Sequence, residues 1–383
     1  MVRKEDKRNK SMEGPTMPNL PNEIVFDILS RLPVRSLLRF RCVCKSWNAL
    51  ISDPHFVKTH LNRATTSDNN TYQQSQRILI LSETVQSMDF ETSSGDPSVV
   101  ELDSLSKISK CSLFIAGSCN GLVCLECNQD IFLCNPATRE YRKLPTPGHC
   151  PTILTFYGFG YDSSIDDYKM IRIIPNNMNY LGISSADVLT LKTNSWRRIS
   201  DWPWRGFPDM GVFVNGALHW LANDANYVDY LIASFDLAGE KFKEVEKPNL
   251  GDEKSNFTIG VLGGCLCVFH YHHENGSKAS TIWVLKQYGV KESWTKTITI
   301  PHFGVPKCLN YFVPLCITKN GELLMRVNGN KLYEAYLVMY NPIEKTLKIF
   351  RDLMITDGWF RAATYIESLV SPNGDKGIER TQA

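Results

Sequence analysis

Two periodicities divide this 383-residue sequence. From Pro18 to about Arg63 apolar residues recur three and four apart, the spacing of one face of a helix. Ile24, Ile28, Leu29 and Leu32 form a first stripe that Pro33 closes. Pro21 suits a first helical turn, where its missing N–H costs nothing, and Glu23 complements the helix dipole there. Val34, Leu37, Leu38 and Phe40 mark a second short helix, and Val43, Trp47, Leu50 and Ile51 a third that ends near Asp53-Pro54.

The polar stretch RATTSDNNTYQQSQ reads as a linker over 64–76, and beyond it the pattern changes. Short β-branched and aromatic runs such as RILILSE, CSLFIAG, GLVCLEC, YKMIRII, ALHWLA, CLCVFHY, YLVMYN and ATYIESL follow one another to about Leu369, separated by turn residues. Asn-Gly or Gly-Gly pairs open several of them, at Asn120-Gly121, Asn215-Gly216, Gly263-Gly264 and Asn320-Gly321. A second element, a strand, a turn and a polar-aromatic strand, returns with spacings of 55, 46, 50 and 55 from Asn135 through Thr190, Asp236, Lys286 and Asn341. A period near ~50 with about four strands per unit is the sign of propeller blades. The β region over 77–369 accommodates about six blades. RILILSE and ATYIESL are the pair expected to close the ring and remove its open edges. Two stacked sandwiches are the alternative architecture. Residues 1–17 and 370–383 read as disordered leader and tail.

An energetic mismatch concerns the helical segment, residues 18–63. About 45 residues in three short helices bury too little surface to stand alone. Apolar residues also fall off the inward stripe, at Val25, Phe26 and Leu38. At roughly 1.5–3 kcal/mol per fully buried large aliphatic side chain, a second apolar face calls for a cover. That cover is either the chain's own β region or another protein.

Composition narrows the classes. Hydrophobic residues make up 43% and charged residues 21%, and 42 basic side chains face 40 acidic ones. A net charge of +2 offers no clustered basic excess for nucleic acid or an anionic membrane. The first residues lack the apolar core of a secretory signal, and no run reaches the ~18 apolar residues of a membrane helix. A reducing compartment, nucleus or cytoplasm, is therefore expected, and the twelve cysteines should be thiols.

Candidate chemistry adds little. Cys119, Cys124 and Cys127 have the local spacing of a ferredoxin cluster loop, with Cys134 as a conceivable fourth ligand. Residues three apart on a strand point to opposite faces, so buried thiols are the better reading. His270 and His272 share a strand face but lack companion ligands. Asp162, Asp166 and Asp167 read as turn caps, and His219-Trp220 as core. No phosphate loop, dinucleotide-binding glycine pattern or serine elbow occurs. No cofactor, metal or catalytic residue is expected. SDWPWRGFPD is different: Trp202, Trp204, Arg205 and Phe207 sit in a proline- and glycine-broken loop. Trp and Arg dominate interaction hot spots, while blade-to-blade packing is the competing role.

The run LPNEIVFDILSRLPVRSLLRFRCVCKSWNALISDPHF (Leu20 to Phe56) resembles an F-box. It has the opening Leu-Pro-x-Glu, the Ile-Leu-x-x-Leu-Pro hinge at Ile28 to Pro33, Val-x-Ser-Leu-Leu at Val34 to Leu38, and Val-x-Lys-x-Trp at Val43 to Trp47. The remainder is similar to the plant F-box-associated, kelch-like domain. SCNGLVCL (Ser118 to Leu125), LCNPATREYRKLP (Leu133 to Pro145), VFVNGALHWLA (Val212 to Ala222) and VMYNPIEKTLKI (Val338 to Ile349) carry that likeness.

The resemblance implies a fold of three short helices followed by a β-propeller of about six blades. It also implies a Skp-type adaptor as the missing cover and, through it, cullin and RING subunits of a ubiquitin ligase of the Skp–cullin–F-box type. Leu20, Pro21, Ile24, Ile28, Leu29, Leu32, Pro33 and Leu37 would dock on the adaptor or form the hinge. Val43 and Trp47 would either touch it or hold the third helix. Loops on one propeller face, with Trp202, Trp204, Arg205 and Phe207 as the candidate set, would hold a target protein. The chain would then be a non-catalytic subunit. A propeller-channel enzyme, and a Skp-binding protein acting outside any ligase, are the rival readings.

Overall fold

The computed structural model describes residues 20–66 and most of 76–374. Within the latter span the exceptions are 83, 92–96, 107, 109–112, 147–154, 176–183, 207–209, 225–228, 252–255, 275–276, 302–310, 329–334 and 356–360.

The N-terminal segment forms four helices: α1 (Asn22–Leu29), α2 (Val34–Phe40), α3 (Lys45–Ser52) and α4 (Pro54–Thr66). Pro21 and Pro33 occupy the N-cap positions of α1 and α2. The fourth helix corrects the expectation of three. Asp53-Pro54 reads as a stop, yet the Asp53 carboxylate accepts the backbone N–H groups of His55 (2.9 Å) and Phe56 (3.2 Å). It thus caps a new helix in which Pro54 is the first residue. This helix runs on to Thr66, through the first residues of the expected linker. Phe56 and His60, one turn apart, turn inward, and the His60 Nε2–H donates to the Leu32 carbonyl at 2.9 Å.

From Gln76 onward six four-stranded antiparallel sheets form a six-bladed propeller. The sandwich alternative is thereby set aside. Five blades take their four strands consecutively: Phe114–Cys119 to Glu140–Lys143, Phe156–Asp162 to Ser195–Trp202, Val212–Val214 to Lys241–Val245, Asn256–Leu262 to Trp294–Pro301, and Tyr311–Ile317 to Thr346–Ile355. The blade opened by Gln76–Leu81, counted as the first, completes itself with the last strand, Arg361–Ile366, in antiparallel register Leu79↔Ala363. The ring closes with the strand pair expected from the sequence.

Core placement explains why these strands lack polar alternation. Six apolar clusters lie between successive blades, and neighbouring residues of one strand feed different clusters. Ile78 and Ile80 pack toward the sixth blade, whereas Leu79 and Leu81 pack toward the second. A sheet buried on both faces reads as a continuous apolar run. Asn120 (φ 52°) and Gly121 (φ 82°) both take the left-handed region that a two-residue hairpin demands. A Cβ on Gly121 would also meet the Ile366 carbonyl at 2.7 Å.

Candidate functional site

Alternation of strand direction assigns each loop to a face. In the five blades with consecutive strands, the turns between first and second strands and between third and fourth strands open on one face of the ring, and the other strand ends lie at the opposite face. The helical module sits on the first of these. Leu369, just beyond the closing strand, and Ala137, in a third-to-fourth-strand turn, join the helical cluster of Leu29, Val34, Leu37, Ile51 and Phe56.

Polar contacts reinforce this seat. Glu367 (side chain 6% exposed) lies between Arg77 of the first blade (2.6 Å) and Arg35 of α2 (3.2 Å). Asn135 donates to the Ser368 and Val370 carbonyls at 3.0 and 2.8 Å, and Ser371 donates to Glu140 at 2.8 Å. Residues 370–374, expected in the tail, are therefore partly tied down. Lys58 of α4 pairs with Asp166 at 2.9 Å. One strap, 367–371, thus ends the ring closure and anchors the helices.

The helices hold themselves together through Asp27, which pairs with Arg31 (3.0 Å) and Arg63 (2.9 Å). Hydrogen bonds from Arg31, then Arg63, hold its carboxyl below the usual range. Burial pushes His60 down, keeping it neutral.

What the module leaves uncovered decides its use. Leu20, Ile24 and Ile28 are 58%, 46% and 48% exposed, and Val43 reaches 62%. Pro21 and Pro33 are exposed too, and Leu32 is half-buried. Leu29 (2%) and Leu37 (0%) are inside and hold the helices to one another, so of the eight docking candidates these two offer no surface. The surplus apolar face also differs from the expected one. Val25, Phe26 and Leu38 pack on the helical core, and Phe26 meets Phe56 edge-on at 5.2 Å. The open stripe is Leu20, Ile24 and Ile28 at a spacing of four.

Comparison with known families matches the helical segment, residues 17–63, to an F-box-like family. Residues 76–372 match the F-box associated beta propeller domain. This chain is an F-box protein of the β-propeller type. Among its relatives is the F-box protein CPR1 of Arabidopsis thaliana, 31% identical, with 82% of this chain and 81% of that protein covered. An F-box/kelch-repeat protein of the same plant is 29% identical, with 96% of this chain and 99% of that protein covered. The open stripe of Leu20, Ile24 and Ile28 lies within the F-box-like segment and is the candidate interface.

The opposite face of this F-box protein carries the candidate target loop, since Ser195–Trp202 runs away from the helices. Trp202 is 2% exposed and meets Trp204, Trp220 and Phe242 edge-on at 5.0, 5.6 and 5.3 Å. Its ring fills the gap between the third and fourth blades, so it is unavailable to a target as the residue stands. Trp204 and Arg205 are half-buried. Arg205 exchanges two backbone hydrogen bonds of 3.0 Å with Asn223, which pins the loop as a short extra strand. Phe207 lies outside the described residues.

The remaining candidates are structural. Cys119 and Cys124 belong to the cluster between the second and third blades, whereas Cys134 faces the first. Burial pushes all three thiols up. Among the described residues no three His, Cys, Asp or Glu side chains gather as a metal site. Asp162 accepts from the Ser164 N–H (2.9 Å) and Asp167 from those of Tyr168 and Lys192 (both 2.8 Å), as turn caps do. Asp166 instead serves the F-box seat. His270 and His272 stack at 5.0 Å, and His272 bonds Thr281 at 2.8 Å. His219, fully buried, donates from Nδ1 to the Val212 carbonyl and accepts from Tyr288 at Nε2 (2.7 Å). Desolvation holds it neutral, its pKa lowered to about 4.

Val43 and the Glu367 seat are what the sequence reading left open or missed. The first had a signal, an apolar side chain between Cys42 and Cys44 in a turn. The second had none, because Arg35 and Glu367 stand 332 residues apart.

Proposed function

We propose that this protein is the substrate-recognition subunit of a ubiquitin ligase of the Skp–cullin–F-box type. The carrying observation is the open stripe of Leu20, Ile24 and Ile28, flanked by exposed Pro21 and Pro33, on a module whose other large aliphatics, Val43 apart, are buried or half-buried. A Skp-type adaptor buries that stripe and links the chain to cullin and RING subunits. The propeller face turned away from the F-box holds a target protein, with Trp204, Arg205 and Phe207 among its contacts and Trp202 as their support. Leu29 and Leu37 serve docking indirectly, by shaping the helices.

The subunit contributes no covalent chemistry of its own. Acceleration comes from holding the target near a ubiquitin-charged conjugating enzyme, so that a bimolecular encounter becomes nearly intramolecular. The strap from Glu367 to Ser371 supports this, since a seat of one buried carboxylate and an apolar plug fixes the direction in which the target is presented. The complex acts in the nucleus or the cytoplasm. Affinity purification of the full chain from plant cells tests the reading. Recovery of a Skp-type adaptor together with cullin and RING subunits is expected; an adaptor recovered repeatedly without cullin would assign the chain a role outside a ligase.

A further inference from the structure

The strap that ties the F-box to the propeller ends on a Ser-Pro pair. Of the 19 prolines in the chain, two follow a hydroxyl-bearing residue: Pro147 after Thr146 and Pro372 after Ser371. Thr146 lies at the edge of the second blade, where its hydroxyl donates to Asp130 at 3.3 Å. Ser371 stands at the junction of the two halves. Two residues before it Leu369, 3% exposed, plugs the helical core, and four before it Glu367 bridges Arg77 and Arg35.

The Ser371 hydroxyl works in both directions. It donates to a Glu140 carboxylate oxygen at 2.8 Å and accepts the Asn373 N–H at 3.2 Å. The Gly374 N–H closes a turn onto the Ser371 carbonyl at 3.3 Å, with Pro372 at the second position, where its fixed φ suits a turn. Glu140 opens the outer strand Glu140–Lys143 of the second blade, and half-buried Arg41, just past α2, feels its charge. Strap, blade and F-box therefore meet around one carboxylate. Ser371 is half-buried and Asn373 and Gly374 are exposed, whereas Pro372 is buried. The Ser-Pro pair is thus offered to an enzyme when the turn opens locally. Both bonds within the turn lie at the long end of the hydrogen-bond range, which favours such opening.

We propose that Ser371 is the acceptor of a proline-directed protein kinase, and that its phosphate unties the strap from the second blade. The kinase transfers the γ-phosphoryl group of Mg·ATP to the Ser371 Oγ. The Oγ–P bond forms, the bond to the departing ADP breaks, and the hydroxyl proton passes to the kinase's catalytic base. That proton is the one Glu140 holds. The modified side chain has lost its donor and carries about −1.5 to −2 charges beside a carboxylate, an arrangement that repels. The turn that opened to the kinase can no longer reclose on Glu140. The Asn135 and Glu367 contacts are left to hold the strap, and the Leu369 plug loosens with it. Modification converts a fixed F-box into a loosely seated one, whatever partner the F-box carries.

The test incubates the full-length protein with Mg·ATP and a purified proline-directed kinase of verified activity on a Ser-Pro peptide, and locates the phosphate by fragment mass spectrometry. One phosphate on Ser371 is expected, retained in Thr146→Ala and absent from Ser371→Ala. Amide hydrogen exchange then reads the strap. Peptides covering 367–374 should exchange about tenfold faster in the phosphorylated protein, the scale of a lost hydrogen bond to a charged group, while the inner strands of the fourth and fifth blades are unchanged. Ser371→Ala, which loses the bond without gaining charge, should show a smaller rise. Phosphorylated Glu140→Gln, with the repulsion removed, should resemble Ser371→Ala more than the phosphorylated wild type. No phosphate on Ser371 overturns the site. Phosphate on Ser371 with unchanged exchange overturns the release, and so does slower exchange, which would mean that Arg41 captures the phosphate.

Discussion

The helical module and the propeller solve the same problem, where to put apolar surface, in opposite ways. The inner strands of the propeller blades are buried on both faces, and pairing Gln76–Leu81 with Arg361–Ile366 closes the ring. The F-box has one core with a borrowed plug, Leu369, and leaves Leu20, Ile24, Ile28 and Val43 in water. Those are four of the ten large exposed hydrophobics among the described residues, within 24 residues of sequence, whereas the other six are scattered over the propeller. A closed ring can be a rigid platform for variable loops; a module with an open stripe is unfinished until a partner covers it.

The sharpest way to break this comparison is to damage one half and read the other. Trp220 is fully buried, and its Nε1–H donates to the Tyr157 carbonyl at 3.2 Å. Trp220→Ala should cost about 3–5 kcal/mol of propeller stability in urea unfolding, as large-to-small core changes do. Its affinity for a Skp-type adaptor should stay within about twofold under folding conditions, because surfaces that share no contacts respond independently.

A somewhat smaller effect is expected at the seat. Glu367→Ala leaves Arg77, 3% exposed, with Asp89 as its one remaining carboxylate partner among the described residues, at 2.7 Å. A loss of about 2–3 kcal/mol should follow, since removing one member of a buried charged pair exposes the other's desolvation cost. Arg35→Ala removes a side chain 55% exposed and should cost less than about 1 kcal/mol. If both changes cost the same, the carboxylate is not the pivot between the halves.

Acid provides a propeller-specific probe. His219 is neutral in the fold, with its pKa near 4 against an ordinary 6.5. The unfolded chain therefore takes up the proton first, and the stabilisation present above pH ~6.5 is lost as pH falls toward ~4. The full difference is on the order of 3 kcal/mol. His219→Gln should show a flatter stability profile between those limits than the wild type, measured by denaturant titration at each pH.

These differences mirror what the sequence displays. Asn120-Gly121, the apolar runs and the recurring spacing make the propeller legible because turn chemistry and strand burial are local properties. The helical stripes of α1 and α2 are equally local. The fourth helix was hidden because Asp53-Pro54 suits both an end and a beginning, and only the carboxylate bonds to His55 and Phe56 decide between them. Trp202 looks like loop furniture until Trp220 and Phe242 arrive from the next blade. The division of the docking candidates into open Ile24 and Ile28 and closed Leu29 and Leu37 depends on α4 and on Leu369, contacts that no window of sequence contains.

Calorimetric binding of the full-length protein to a purified Skp-type adaptor, alongside its Leu20→Ala, Ile24→Ala, Ile28→Ala form, tests the central claim most directly. Three exposed aliphatics at the centre of an interface should together be worth more than about a hundredfold in affinity. The account requires that loss to occur with an unchanged melting temperature, since none of the three is part of the buried core. Equal affinity of the two proteins for the adaptor would contradict it.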